Sequence, residues 1–139
     1  MIIDANNLIV GRIATVVAKR ALLGEQVDVV NCANSIFTGR REMVLSRFKR
    51  FRDMGNHTKG PFIHRNPAKI VKRVIRGMLP HRQPKGREAF KRIKCYSFVP
   101  ENMKDQKMET IEVADKKKLS TKHYISVGEI SKLLGGKSG

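Results

Sequence analysis

The stretch KIVKRVIRGMLPHRQPKGREAFKRIK, residues 69–94, carries the clearest structural signal in the chain because it begins as a helix with two different faces. At 100° per residue, its apolar side consists of Ile70, Val71, Val74, Ile75 and Met78. Its cationic side consists of Lys69, Lys72, Arg73 and Arg76. Asn66 can cap the first turn, and Pro67 suits the first helical position. We therefore expect one face to pack into a core and the other to meet an external partner.

The second half of the stretch continues the basic character. Gly77 loosens the helix, Pro80 and Pro84 predict non-helical structure over residues 81–86, and a second short helix follows. Its cations are Arg87, Lys91 and Arg92. A solvated helix face is the alternative interpretation, but such faces usually mix signs, and Glu88 is the only acid in the stretch. The pattern favours a polyanion-binding surface.

The charge of the whole chain is unevenly distributed. With 139 residues, 29 of them basic and 12 acidic, the chain is expected to form one domain with a net charge of +17. Residues 1–39 hold three basic and three acidic groups, residues 40–94 hold eighteen and three, and residues 95–139 hold eight and six. We expect a neutral scaffold, a strongly basic binding part, and a closing segment of strands, an excursion and a terminal helix.

Composition argues against several other classes of protein. Two cysteines, Cys32 and Cys95, make no disulfide framework, and their apolar surroundings predict buried free thiols in a reducing compartment. The amino terminus does not resemble a signal peptide, and no run approaches the length of a membrane span. We expect a cytoplasmic protein without a membrane partner.

The amino-terminal third predicts a β-α-β unit. A short apolar strand over residues 1–4 precedes a helix over residues 11–23, and residues 27–30 form a second, buried strand. Such a unit implies parallel strands joined by a right-handed crossover. Residues 31–39 are expected to be a turn-rich link at the edge of the sheet where α/β proteins commonly bind ligands.

The remaining elements are predicted from shorter patterns. Residues 39–54 form a helix in which Val44, Phe48 and Phe51 face the core, and residues 55–65 form an irregular loop. The later predictions are a third strand over residues 93–99, an excursion over 101–122 with strand-like character at 111–113, a fourth strand over 123–127, a helix over 128–134 and a frayed end over 135–139.

Motifs for small-molecule chemistry are weak. Neither a P-loop nor a dinucleotide-binding glycine motif follows the early strands. Gly11 and Arg12 at a helix start could meet one phosphate, and a close-packing glycine followed by a surface arginine is an equally good interpretation. The spacing of His57 and His64 does not suit zinc, and the acids are scattered. We expect no catalytic residues, no metal, no cofactor and no small-molecule substrate.

The polyanion is expected to be folded RNA. No cysteine–histidine finger or basic zipper is visible. The chain has only eight aromatic residues, and four of them fit core positions: Phe48, Phe51, Phe90 and Phe98. Rows of Lys and Arg with basic loops therefore suit phosphate contacts on folded RNA better than a single-strand stacking surface.

The motifs match a known family. The central stretch resembles the signature of the large-subunit ribosomal protein L13 family in Arg76-Gly77-Met78-Leu79-Pro80, Gly86 and Lys91-Arg92-Ile93-Lys94. Other landmarks occur in the family's order, namely Ile3-Asp4-Ala5, Gly11-Arg12, Ala14, Ala18-Lys19, Asn31 and Thr38-Gly39. The archaeal and eukaryotic branch is indicated by Gly60-Pro61, His64-Arg65 and Pro67.

This resemblance implies a three-layer α/β/α domain on a four-stranded, mainly parallel sheet. It also implies a structural role in the large ribosomal subunit, bound to its large RNA beside other ribosomal proteins and assisting assembly. We predict that the RNA-binding residues are Arg40, Arg41, Arg47, Lys49, Arg50, Lys59, Arg65, Lys69, Lys72, Arg73, Arg76, Arg82, Lys85, Arg87 and Arg92. The alternatives are a free-standing RNA-binding regulator of translation and an RNA-modifying or phosphoryl-transfer enzyme with a site near residues 31–38.

Overall fold

The computed structural model describes residues 1–137. Its strands are β1 (Ile2–Asp4), β2 (Val27–Val30), β3 (Ile36–Thr38), β4 (Ile93–Cys95), β5 (Met108–Glu109) and β6 (Tyr124–Ser126). Its α-helices are α1 (Val10–Leu22), α2 (Arg41–Asp53), α3 (Pro67–Gly77), α4 (Pro84–Lys91) and α5 (Val127–Leu133). The predicted amino-terminal β-α-β unit is confirmed almost to the residue.

The main sheet has four parallel strands in the order β4-β2-β1-β5. Ile3 lies beside Val29, and Val29 lies beside Cys95. Since β1 and β2 are central and apolar, their side chains are covered, and Ile3, Val27 and Val29 are fully buried. The predicted α/β domain on a four-stranded parallel sheet is confirmed.

Long helices cover one face of this sheet. The crossovers from β1 to β2 and from β2 to β4 step in the same direction, so right-handed connections place α1, α3 and α4 together. α1 does pack against α3 and α4. After β4 the chain passes the carboxyl edge of the sheet, where the carbonyls of Tyr96 and Ser97 accept from the N–H groups of Cys32 and Ala33 (3.1 Å each), and then returns across the sheet to β5. The opposite face is only thinly covered, since Asp28 and Lys94, which are neighbours in the sheet, remain partly and fully exposed.

The fourth strand of the main sheet does not come from the predicted segment. Residues 123–127 do contain a strand, β6, but it pairs antiparallel with β3 in a separate two-stranded sheet. The turn-rich link predicted over residues 31–39 contains β3 itself, preceded by a short 3-10 turn. β3 was not predicted because its three residues lie within a segment rich in turn-forming residues and are too few to show a period of their own.

The excursion after β4 also differs from its prediction. Strand-like character was predicted at residues 111–113, but Glu112–Ala114 is a 3-10 turn and the strand is β5, two residues long. β5 pairs with β1 at the sheet edge. The strand predicted over residues 93–99 is shorter and ends at Cys95.

The second basic helix begins earlier than expected. Non-helical structure was predicted over residues 81–86, yet α4 begins at Pro84, which occupies a first-turn position where its missing N–H costs nothing. Gly86 is buried in that first turn, and a Cβ at this position would lie 2.0 Å from the carbonyl oxygen of Pro80. Only glycine lets α4 pack this closely against the preceding turn.

The predicted frayed end, residues 135–139, is ordered in its first part. The N–H of Gly136 donates to the carbonyl of Ser131 (2.8 Å), and Gly135 has a φ of +81°. A residue in the left-handed conformation, followed by an N–H group that donates to a carbonyl five residues earlier, is a Schellman motif, and this motif ends α5. Residues 138–139 lie outside the described part of the chain.

Candidate nucleic-acid interface

The helix α3 has the two faces that its sequence predicted. The side chain of Asn66 accepts a hydrogen bond from the N–H of Ala68 (2.9 Å), which caps the helix before Pro67. Ile70, Val71 and Ile75 are buried. Met78 was predicted on the same core face, but it follows the end of the helix and is 44% exposed.

The opposite face of α3 is cationic and accessible. Lys69, Arg73 and Arg76 are exposed, and Lys72 is half-buried with its ammonium 4.9 Å from the centre of the Phe90 ring. Within residues 1–137, none of these four side chains forms an ion pair. Burial of the aliphatic face thus fixes the direction in which the charges point.

The helix α2 is attached differently. None of its residues is buried, although Val44 and Phe48 pack half-buried against the core. Phe51 was predicted to face the core, but 40% of its surface is exposed, and the guanidinium of Arg47 lies 5.7 Å from its ring centre. The prediction failed because α2 lies at the edge of the domain, where its third apolar position passes beyond the packed interior.

Thirteen of the fifteen predicted RNA-binding side chains are exposed. They are Arg40, Arg41, Arg47, Lys49, Arg50, Lys59, Arg65, Lys69, Arg73, Arg76, Arg82, Lys85 and Arg87. Lys72 and Arg92 are half-buried. Arg92 is partly used within the protein, because it donates to the carbonyl of Ala21 (3.3 Å) and lies 3.9 Å from the Glu88 carboxylate.

Little internal charge compensates these cations. Among the described residues, only Arg41 and Arg92 of the predicted set lie near a carboxylate, and the Arg41–Glu129 distance is 3.9 Å. Exposed pairs of that length contribute little to stability.

We call α2, residues 55–65, α3 and α4 together the basic surface. α3 meets each of the others: it lines a cavity with α2, and Arg73 donates to the carbonyl of Phe62. Lys72 lies over the Phe90 ring of α4. Such a surface attracts polyanions, and its positive charges repel one another when no polyanion is bound.

One segment of this surface is held at its end. The buried hydroxyl of Ser131 in α5 donates to the carbonyl of Arg65 (2.6 Å). The guanidinium of Arg73 donates to the carbonyl of Phe62 (3.4 Å). These contacts attach the end of the predicted irregular loop, residues 55–65, to α5 and to α3.

A further basic group lies outside the predicted set. Residues Lys116–Lys118 form a 3-10 turn capped by Asp115, and the ammonium of Lys116 lies 3.9 Å from the centre of the Tyr124 ring. The run of three lysines after an aspartate is visible in the sequence and could have indicated a further basic group. It was not included in the predicted set because the surrounding segment mixes charges and lacks clear periodicity.

The ligand-prone edge of the sheet is occupied by internal hydrogen bonds. The amide of Asn31 donates to the Asp4 carboxylate (2.8 Å), and the Ser35 hydroxyl donates to the carbonyl of Cys32 (2.6 Å). In residues 1–137 no three acidic, histidine or cysteine side chains converge as metal ligands would. Within residues 31–38, where the alternative prediction placed an enzyme site, these polar groups are used in hydrogen bonds within the protein.

The two cysteines are neighbours and remain free thiols. Cys32 is buried as predicted, whereas Cys95 is only half-buried. A hydrogen bond with the Cys95 thiol, followed by burial, holds the pKa of Cys32 well above its usual range. Because the thiolate is the nucleophilic form, a thiol with so raised a pKa is a poor nucleophile, and Cys32 does not suit nucleophilic catalysis.

Comparison with known proteins places the chain in a family. None of the helices within residues 1–137 has the length and apolar character needed to cross a membrane. The chain is 42% identical over 137 residues to the large ribosomal subunit protein uL13 of Methanosarcina barkeri, covering 98% of both chains. It is 41% identical to the uL13 proteins of Archaeoglobus fulgidus (96% of this chain, 86% of the relative) and Methanococcus maripaludis (99% and 98%). Since the sequence model of ribosomal protein L13 also matches residues 1–102, the chain belongs to the ribosomal protein L13 family.

Proposed function

We propose that the protein is a structural constituent of the large ribosomal subunit, where the basic surface binds large-subunit ribosomal RNA and supports assembly. The observation that carries this proposal is α3, which buries Ile70, Val71 and Ile75 while exposing Lys69, Arg73 and Arg76. The names of the archaeal relatives agree with it.

The chemistry of the surface suits phosphate groups. Arginine can give forked contacts to phosphate oxygens and lysine gives point contacts, and neither reads a base sequence by itself. The RNA would then be recognised by its folded shape, beside neighbouring large-subunit proteins in the cytoplasmic ribosome. Catalysis, a cofactor and a small-molecule substrate have no part in the proposal.

The proposal is tested by removing charge from α3. Lys72, Arg73 and Arg76 changed together to Gln should weaken binding to large-subunit ribosomal RNA by more than about tenfold. The slope of log affinity against log salt should fall by about 2 to 3, because three fewer phosphates release counterions. Filter binding over a series of salt concentrations measures both quantities, and circular dichroism verifies that the helix content is unchanged.

A charge-matched control separates location from net charge. Lys104, Lys107 and Lys122 are exposed and lie outside the predicted set, and their change to Gln also removes three charges. This control should reduce affinity far less than the α3 variant. Equal losses, or a salt-independent affinity of the unchanged protein, would overturn the proposed surface.

Sedimentation tests the ribosomal setting. A structural constituent should remain with large subunits during centrifugation at high salt. Release of the protein under those conditions, with binding to isolated RNA retained, would instead favour the free-standing regulator.

A further inference from the structure

A cavity lies between α2 and α3, and its lining is mainly apolar, with three phenylalanines among the lining residues. Its volume is about 440 Å³, within the roughly 300–1,000 Å³ typical of ligand sites. Phe37 of β3 and Phe48 and Phe51 of α2 contribute to the lining. The rings of Phe37 and Phe48 meet edge to face with their centres 5.6 Å apart, so these two side chains form one continuous aromatic wall.

The polar residues around this cavity are basic or neutral. Arg47, Arg73 and His64 contribute to the lining, and none of the described residues lining it is acidic. Arg47 approaches the Phe51 ring, while Arg73 is held by the Phe62 carbonyl. The cavity thus combines flat apolar surfaces with cations at its edge.

The surface at this cavity is incompletely covered in the isolated protein. Phe51 is 40% exposed, and α2 buries no residue at all. Exposing a phenylalanine edge to water is unfavourable, and two exposed arginines that line the same cavity without an acidic lining residue repel each other. A flat, partly apolar group that carries negative charge on both sides would relieve both costs.

We infer that this cavity receives one unpaired base of an RNA strand, which stacks against Phe51 while its flanking phosphates contact Arg47 and Arg73. The inference rests on the proposed RNA-binding function and adds that the RNA must present a splayed nucleotide here. Stacking tolerates any base because each has a π-face, so the site selects an unpaired nucleotide rather than a sequence.

An apolar side chain from a neighbouring protein is the competing occupant. Such a side chain fills the cavity but leaves the two arginines uncompensated, whereas a nucleotide supplies both the flat ring and the phosphates. Charge complementarity therefore favours RNA, and the two occupants respond differently to a change that keeps apolar volume but removes the ring.

The test uses two RNA hairpins of equal length, one fully paired and one with a single-nucleotide bulge of 2-aminopurine. The unchanged protein should bind the bulged hairpin roughly tenfold more tightly at equal salt, with a change in 2-aminopurine emission. Phe51→Leu should abolish this preference and the emission change, while Phe51→Tyr should retain both. Phe62→Leu is the matched control, because Phe62 is 67% exposed and lies outside this cavity, and it should retain both as well.

The outcomes separate this inference from the proposed function. Equal, salt-dependent binding of both hairpins by the unchanged protein would overturn the base site and leave RNA binding intact. A bulge preference that survives Phe51→Leu would also overturn it, in favour of simple apolar filling. Failure to bind either hairpin at low salt would overturn both proposals. Arg47→Gln should weaken binding of both hairpins, since it removes a phosphate contact.

Discussion

The helices α2 and α3 are both strongly basic, yet they are attached to the domain in different ways. α3 buries Ile70, Val71 and Ile75 and has a side-chain cap at Asn66. α2 has no side-chain cap and no buried residue, and its apolar side chains are only half-covered or exposed. The positive charges of a helix therefore indicate which of its faces meets a partner, whereas the burial of its apolar face determines how strongly the helix is attached to the domain.

We expect this difference in attachment to give α3 and α2 different roles in RNA binding. α3 lies against α1 and β4, so its cations are presented from a rigid support. α2 contacts α5 and β6 at the edge of the domain, where few buried groups oppose local opening. We expect α3 to position the RNA and α2 to adjust to it, as the cavity beside Phe51 requires.

The largest effect should come from the support of α3. Ile75→Ala removes a fully buried side chain and should lower the free energy of unfolding by about 2–5 kcal/mol. Leu45→Ala in α2, where the side chain is half-buried, should cost less than half as much because part of it is already in water. Urea unfolding followed by circular dichroism measures both, and equal losses would contradict the distinction between the helices.

An intermediate effect on the free energy of unfolding should come from raising the pH above the range in which the Cys32 thiol ionises in the unfolded chain. The pKa of Cys32 is raised in the folded protein, so above about pH 9 the unfolded chain loses a proton that the folded chain keeps. The free energy of unfolding should then fall by about 1.4 kcal/mol per pH unit from this thiol. Urea titrations at several pH values measure the slope, and Cys32→Ala should lessen it by that amount. An unchanged slope in the variant would assign the effect to other groups.

The smallest effect should come from the helix caps. Asn66→Ala removes the cap of α3 and the hydrogen bond from Ser97, and should cost about 1 kcal/mol of global stability. Arg40→Asn offers α2 the cap that it lacks, and should slow amide exchange within α2 without moving the global unfolding midpoint. Hydrogen exchange resolves the two helices, and a shifted midpoint for Arg40→Asn would show that α2 belongs to the cooperative core.

Most long elements were predictable because their periods span several turns or a complete apolar run. The bounds of α1, β2 and α3 follow from apolar spacing, Gly24 and the Asn66-Pro67 pair. The shortest elements were predicted only in part: β1, β4 and β6 fall inside predicted strands, whereas β3 and β5, of three and two residues, leave no detectable period in the sequence. β3 and β6 exist as strands only because each provides the hydrogen-bonding edge of the other.

The structure gives the position and exposure of each of the fifteen predicted RNA-binding residues. Their contacts with RNA phosphates remain a prediction. The aromatic cavity could not be found from sequence, since the spacing of Phe37, Phe48 and Phe51 is equally typical of core residues. Their exposure depends on where α2 passes beyond the packed layers, and that is a property of the assembled domain.

Periodicity and composition act locally, and they were sufficient to specify the α/β class, the direction of the cations on α3 and the concentration of charge in residues 40–94. The pairing of the short strands, the exposure of Phe51 and the cavity between two basic helices were specified only in the assembled domain. Those outcomes depend on packing between residues far apart in the chain, and no local pattern encodes the space that remains between them.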